Sequence, residues 1–400
     1  MAGPSWTDRI LAPFERKPSS GRYIPEIDGL RFLAIFLVIL FHSHIFFRDG
    51  SEPVTAAELA AEEGMTILRH LPNFLIAKGW FGVQIFFVIS GLVLALPFAS
   101  HHLRGTRLPE LKNYYKRRLI RIEIPYFITL TFFFLTSGAF GGQGMGAMLP
   151  HYLAGLLYAH TFFFDGALNP LLAIAWTLEI EIQFYLLAPF LCRLFLISSP
   201  AIRRGIFVVG ILLSQFLSES LNARWESHIW NHSLIGQLGY FLAGMLLADF
   251  FLSPDFKKWG GGERARLWDF VGLIAWPLVF VMIEWHLPVN LKPFVLLLGF
   301  LAVLCGDRLL RLFRFRWFTA VGAMCYSVYL FHNTMLYALL RPTLFCNIQA
   351  GNWPLNALLI CLMALLAIAM CAPLFLLIEK PFARGKIPWL SAAEEPKEKK

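Results

Sequence analysis

Eleven mostly apolar runs constrain this chain more than any other feature. They lie near 30–47, 80–98, 125–140, 150–165, 174–197, 205–221, 233–252, 268–285, 291–306, 321–340 and 354–378. A helix crosses a bilayer with about 20 such residues and needs about 17 at least. The expected class is therefore all-α, a polytopic integral membrane protein. Composition agrees: 57% of residues are hydrophobic and 15% charged, which excludes a disordered chain, a nucleic-acid module and most soluble enzymes. The 39 Phe and 12 Trp suit a chain partly solvated by lipid. The net charge of +9 then reads as basic cytoplasmic loops facing anionic headgroups, not as a nucleic-acid surface. Membrane lipids are the expected partner, with no nucleic acid. The six Cys form no C-x-x-C pair and read as small hydrophobes, so no metal site is expected. The first apolar run starts near Leu30 with no small-residue cleavage site after it, and reads as a retained span.

Loop charge orients the spans. Arg9, Arg16, Lys17 and Arg22 place the N-terminal tail in the cytoplasm. Asp49, Glu52, Glu58, Glu62 and Glu63 mark an outer loop at 48–79. Arg104, Arg107, Lys112, Lys116, Arg117, Arg118 and Arg121 return the chain to the inside. Arg203 with Arg204, Lys257 with Lys258, Arg264 with Arg266, the stretch from Arg308 to Arg316, and Lys380, Arg384 and Lys386 also belong inside. An even number of crossings must join 101–121 to 198–204, yet three runs intervene. The run at 150–165 is short and carries His151, His160 and Asp165 at its ends. It is expected to be re-entrant or interfacial on the outer side, which is permissible where protein buries it. About ten transmembrane helices result, with both termini cytoplasmic. The expected organisation is a tail at 1–26, a membrane domain at 27–384 and a polar tail at 385–400.

Ionisable residues inside spans are costly and mark candidate sites. Arg31 and His42 are 11 residues apart in the first span, so they share a helix face at a separation of roughly 16 Å. Arg31 falls near the cytoplasmic headgroups, where it can also be a snorkelling anchor, and His42 in the outer third. Glu179 and Glu181 open the fifth apolar run, near 174–197, two residues apart, which points them about 160° from each other. Glu181 shares its face with Thr177 and Tyr185, at a depth close to that of His42. Ser90 precedes Gly91 in the second span, a pair that also serves close helix packing. His332 lies mid-membrane, either as a pocket residue or as a packing histidine.

Six segments, in order, resemble one family. They are Ile27-Asp28-Gly29-Leu30-Arg31-x10-His42, Phe86-Phe87-Val88-Ile89-Ser90-Gly91, the basic stretch Tyr115 to Pro125, Trp176-Thr-Leu-x-x-Glu181-x-Gln183-Phe184-Tyr185, Tyr326-Ser-Val-Tyr-Leu-Phe-His332, and Ile378-Glu379-Lys380-Pro381-Phe382. Together they resemble the membrane-bound acyltransferase-3 family, bacterial O-acyltransferases of surface polysaccharides and other acceptors. Ile182 stands where the family often has a second Glu, Glu179 where it often has Ser, and Thr177 replaces a frequent Ser. Many relatives carry a C-terminal hydrolase-like domain, for which this chain is expected to be too short.

The resemblance implies acyl transfer from cytoplasmic acyl-CoA, by default acetyl-CoA, as a co-substrate with no bound cofactor. The acceptor would be a hydroxyl of a glycan or lipid-linked sugar (a lipopolysaccharide or exopolysaccharide) at the outer side of the bacterial inner membrane. Guanidinium forks suit phosphate, so Arg31, Arg117, Arg118 and Arg121 are the donor-binding candidates. His42 is the candidate base, because imidazole titrates near neutrality, or it carries the acyl group itself. Glu181 would orient it or meet the acceptor. Ser90, Trp176, Glu179, Gln183, Tyr185, Tyr326 and His332 complete the candidate pocket. The rival reading is a proton-coupled transporter using the same buried Arg, His and Glu. Carriers often show pseudo-repeated halves, and no such repeat is visible in the sequence.

Overall fold

The computed structural model describes residues 5–15, 23–47, 75–140, 144–225, 229–285, 289–340 and 353–382. The acidic stretch of the first outer loop, Arg16, Lys17 and Arg22 of the N-terminal tail, Cys346, and Arg384 with Lys386 lie outside the described residues. Within them every regular element is helical: α1 (Trp6–Leu11), α2 (Pro25–Phe47), α3 (Gly82–Arg104), α4 (Leu111–Phe140), α5 (Gly144–Leu156), α6 (His160–Phe163), α7 (Ala175–Leu191), α8 (Pro200–Trp225), α9 (Leu234–Leu252), α10 (Phe256–Trp259), α11 (Gly262–Glu284), α12 (Lys292–Cys305), α13 (Arg308–Phe313), α14 (Arg316–Ala323), α15 (Cys325–Leu340) and α16 (Trp353–Leu374). Seven helical segments are long and apolar enough to cross a membrane: Pro25–Ile45, Gly79–Arg104, Leu111–Ser137, Pro200–Arg224, Leu234–Leu252, Gly262–Glu284 and Ala357–Phe382. The protein is thus an all-α, multi-pass membrane protein. The expectation of about ten adds the shorter α7, α12 and α15, which occupy three further apolar runs. The run at 150–165 forms no long helix. It holds the end of α5, a break at Tyr158 with φ 52°, and the four-residue α6.

The chain divides into two compact units, Met1–Ile89 with Ser253–Pro373, and Ser90–Leu252 with Leu374–Lys400. In the first, α2 is the central helix, packed by α13, α14 and α15. Its first turn carries Glu26 and Asp28, acids that suit the positive end of the helix dipole. Glu26 accepts from Arg314 Nε at 2.6 Å. Here α2 meets the 308–323 region backbone to backbone. A Cβ on Gly29 would stand 2.0 Å from the Phe313 carbonyl oxygen, and one on Gly322 would stand 1.8 Å from that of Asp28. The Asp-Gly pair at the head of the first motif is therefore a packing requirement as well as a chemical one.

In the second unit, α8 and α9 form the closest pair. Arg203 and Arg204 open α8 and both bond the fully buried Asp249 of α9, Arg204 Nε at 2.6 Å. The opposite stripe of α8, Ile202, Ile206, Val209, Leu213 and Phe216, is exposed. It recurs every three or four residues and is the helix's lipid face. Tyr126 of α4 donates to the Gly155 carbonyl at 3.0 Å and stacks on Tyr158, which ties the broken 150–165 segment to α4.

Gly29→Ala and Gly322→Ala should each lower stability by about 1–3 kcal/mol, the usual cost of overpacking, read as the unfolding midpoint of the detergent-solubilised protein. Gly205→Ala, with nothing within 4 Å of the new methyl, should be neutral or stabilising. Equal behaviour of the three variants would contradict the close approach.

Candidate active site

In the first unit, one face of α2 carries two polar centres. At its N-terminal end Arg31 pairs with Asp28, one turn earlier, and Asp28 also accepts from the Tyr23 hydroxyl at 3.0 Å. The Arg31 side chain is only 11% exposed. It is a held cation, not a freely snorkelling one, and its planar fork is oriented by a buried carboxylate.

Toward the other end of α2 lies His42, half-buried, beside the fully buried His332 of α15. The ring centroids are 4.9 Å apart. Nδ1 of His332 lies 2.7 Å from the Tyr329 carbonyl oxygen and 3.1 Å from that of Val328. A carbonyl only accepts, so Nδ1 carries the proton and Nε2 of His332 is an acceptor. That Nε2 is 3.3 Å from Nδ1 of His42, which is itself 2.8 Å from the Val38 carbonyl oxygen. Nδ1–H of His42 is thus shared between Val38 and His332. By this assignment Nε2 of His42 is left as the bare lone pair, the atom that a base or nucleophile needs.

In the second unit, α7 uses its two carboxylates differently. Glu179 is 1% exposed and accepts from the His160 and Thr161 backbone N–H, each at 3.1 Å, and from the Thr161 hydroxyl at 2.7 Å. It holds the start of α6 in place. Glu181, on the other side of the helix, is half-buried and accepts from Ser90 Oγ at 2.8 Å and from the Tyr185 hydroxyl. Gly91, next to Ser90, lets α3 approach α9, since a Cβ there would sit 2.1 Å from the Phe241 carbonyl oxygen. The Ser-Gly pair thus serves both packing and Glu181.

The basic cluster on α4 also divides. Arg117 is exposed and donates Nε–H to Asn113 of its own helix. Arg118 and Arg121 are half-buried, and their positive fields reach Tyr185. Trp176 packs its ring 4.5 Å from that of His232, Gln183 is exposed, and Tyr326 is half-buried on the first turn of α15. Sequence reasoning gave no role to Asp28, Tyr23 or Thr161. Asp28 was visible as an acid at i−3 from Arg31, the spacing of a helical ion pair. Thr161 had no local signal, because its partner is 18 residues away.

Imidazoles, carboxylates and guanidinium groups set into a multi-pass helical protein mark a functional site within the membrane. The chain is a member of the acyltransferase domain family (acyltransferase-3), whose family model matches residues 24–372. The matched residues form an acyltransferase domain. Among curated proteins it is similar to O-acetyltransferase OatA of Staphylococcus aureus (strain NCTC 8325 / PS 47), 27% identical over 208 residues, 49% of this chain and 29% of that protein. It is likewise similar to Peptidoglycan O-acetyltransferase OatA of Listeria monocytogenes serovar 1/2a (strain ATCC BAA-679 / EGD-e), 27% identical over 213 residues, 50% of this chain and 29% of the other. The matched region thus spans under a third of the length of these relatives. No solved structure matches the chain.

Two outcomes are expected. Glu179→Gln turns an amide donor toward groups that are themselves donors, and should destabilise by about 1–3 kcal/mol, with abundance and activity falling together. Glu181→Gln should keep abundance and lose activity; the reverse pattern would exchange the two roles. Arg31→Lys should keep Asp28 paired and the protein folded but weaken acyl-donor use, because the fork is lost. Arg31→Ala should strip a buried carboxylate of its partner, at about 3–5 kcal/mol, and lower protein level as well. Wild-type donor use by the lysine variant would reduce Arg31 to a structural cation.

Proposed function

We propose that this chain is a membrane O-acetyltransferase that moves an acetyl group from cytoplasmic acetyl-CoA to a hydroxyl of an envelope glycan on the outer side of the cytoplasmic membrane. The observation that carries this reading is the His42–His332 pair, which leaves Nε2 of His42 unprotonated. The printed names of the relatives support acetyl as the group, and that of the Listeria relative supports a peptidoglycan-type sugar as the acceptor. The topology that suits this chemistry has ten spans with both termini cytoplasmic. Arg31 and the Arg118–Arg121 pair then face the compartment from which a polyanionic donor arrives.

In this reading the acceptor oxygen gives its proton to Nε2 of His42 while attacking the thioester carbonyl. The new C–O bond forms, the C–S bond breaks, and the departing thiolate takes up the proton. His332 holds Nδ1–H of His42 and spreads the charge that develops on its ring, the part an orienting acceptor plays in a catalytic triad. Glu181, with Ser90 and Tyr185, is assigned to the acceptor. Glu179 is assigned to holding α6, and that assignment favours Glu181 as the carboxylate that meets the acceptor.

Membranes containing the protein should transfer radiolabelled acetyl from acetyl-CoA to glycan. His42→Ala should reduce that transfer by about 10²–10⁴, the usual cost of losing a general base, with insertion and abundance nearly intact. His332→Ala should lose less. Wild-type transfer by well-folded His42→Ala protein would refute the mechanism. An acetyl group trapped on His42 in the absence of acceptor would replace direct transfer by a two-step route through an acyl-imidazole.

A further inference from the structure

One segment of the family-like pattern takes no part in the chemistry above: Ile378-Glu379-Lys380-Pro381-Phe382. It lies where α16 gives way to a π-helical turn, Phe375–Glu379, followed by the 3₁₀ turn Lys380–Phe382. This is the only π-helical turn among the described residues. Such turns are rare and frequently mark functional sites. Phe375, Glu379 and Phe382 are buried on one side, whereas Leu376, Leu377 and Lys380 are exposed on the other. The turn packs against α4. The carboxylate, not the adjacent ammonium, is therefore the charge aimed into the protein.

Glu379 is 1% exposed, and a carboxylate so placed costs several kcal/mol in lost hydration unless a cation answers it. The cation is Arg121, whose Nη2 stands 3.8 Å from Oε1. That separation is an ion pair but lies beyond a hydrogen bond. Arg121 makes no hydrogen bond to the described residues, so none of its five N–H donors is committed there. Its field reaches Tyr185, the residue that bonds Glu181. Arg121 is thus held by charge while its fork stays open to bond something else.

We propose that Glu379 is a positioning residue that fixes the Arg121 guanidinium so that its open donors meet a phosphate of the acyl donor. This rests on the acyl-CoA reading given above. A looser carboxylate–guanidinium contact suits the task, because a closed bidentate pair would take up two of the five N–H donors.

The test is steady-state kinetics with acetyl-CoA and a glycan acceptor in membranes containing the full chain. Glu379→Gln keeps the shape and removes the charge. It should raise the donor KM on the order of tenfold, the scale of one charge-assisted contact, with kcat and acceptor KM within about twofold of wild type. Glu379→Asp should recover part of the loss. Arg121→Ala should raise donor KM at least as much, and adding Glu379→Gln to it should change little more, because coupled residues are not additive. Donor KM unchanged in Glu379→Gln, a fall in abundance and kcat alone, or additive effects in the double variant would overturn the proposal while the donor reading stands. A wild-type chain that takes no acetyl from acetyl-CoA would overturn the donor reading and this proposal with it.

Discussion

A charge inside hydrocarbon must be answered by the chain itself, because no water is there to answer it. Much of the local architecture follows from how each answer is supplied. Asp28 is met by Arg31 and Tyr23. Asp249 is met by two arginines from the head of α8. Glu179 is met by two backbone N–H groups and a hydroxyl, and Glu181 by two hydroxyls. These answers are not equivalent. A carboxylate satisfied by guanidinium or by backbone N–H is locked, since moving it would leave a charge or a peptide group bare. One satisfied only by hydroxyls can exchange them for the hydroxyls of a sugar without a change in the number of bonds.

That distinction decides what was legible in the sequence. Seven long spans were, because a long stretch of mostly apolar residues has few other uses. Counting charged loops led to the expectation that one of three runs does not span, and the run at 150–165, chosen for its shortness and polar ends, holds no long helix. The facing of Arg31 and His42 followed from helical periodicity alone. The division of labour between Glu179 and Glu181 was not legible. Periodicity showed that they point apart, but not which one meets α6 and which one meets Ser90, since those partners lie 18 and 91 residues away. Asp249 escaped notice for the same reason: it answers arginines 46 and 45 residues back. The glycines show a further limit. Gly29 and Gly322 read as motif or helix letters, and only the contact of α2 with the 308–323 region reveals that a methyl group would not fit at either.

Helix geometry also explains how the two histidines come to face each other. In both α2 and α15 the imidazole Nδ1 reaches back to a carbonyl one turn earlier on its own helix, Val38 for His42 and Val328 with Tyr329 for His332. A helical histidine bonded in this way has its tautomer set by the backbone, with Nε2 projecting away from the helix. Placing two such helices side by side lets the Nε2 of one address the Nδ1 of the other. The result orients a ring nitrogen through a neutral partner, with no carboxylate bonded to either ring among the described residues. An Asp in the place of His332 would add a full charge at mid-membrane, with the desolvation cost that brings. A neutral imidazole accepts the same proton with far less. If His42 is the base proposed above, a neutral orienting group keeps it in place without burying a charge, and the desolvation so avoided is largest at the fully buried position of His332.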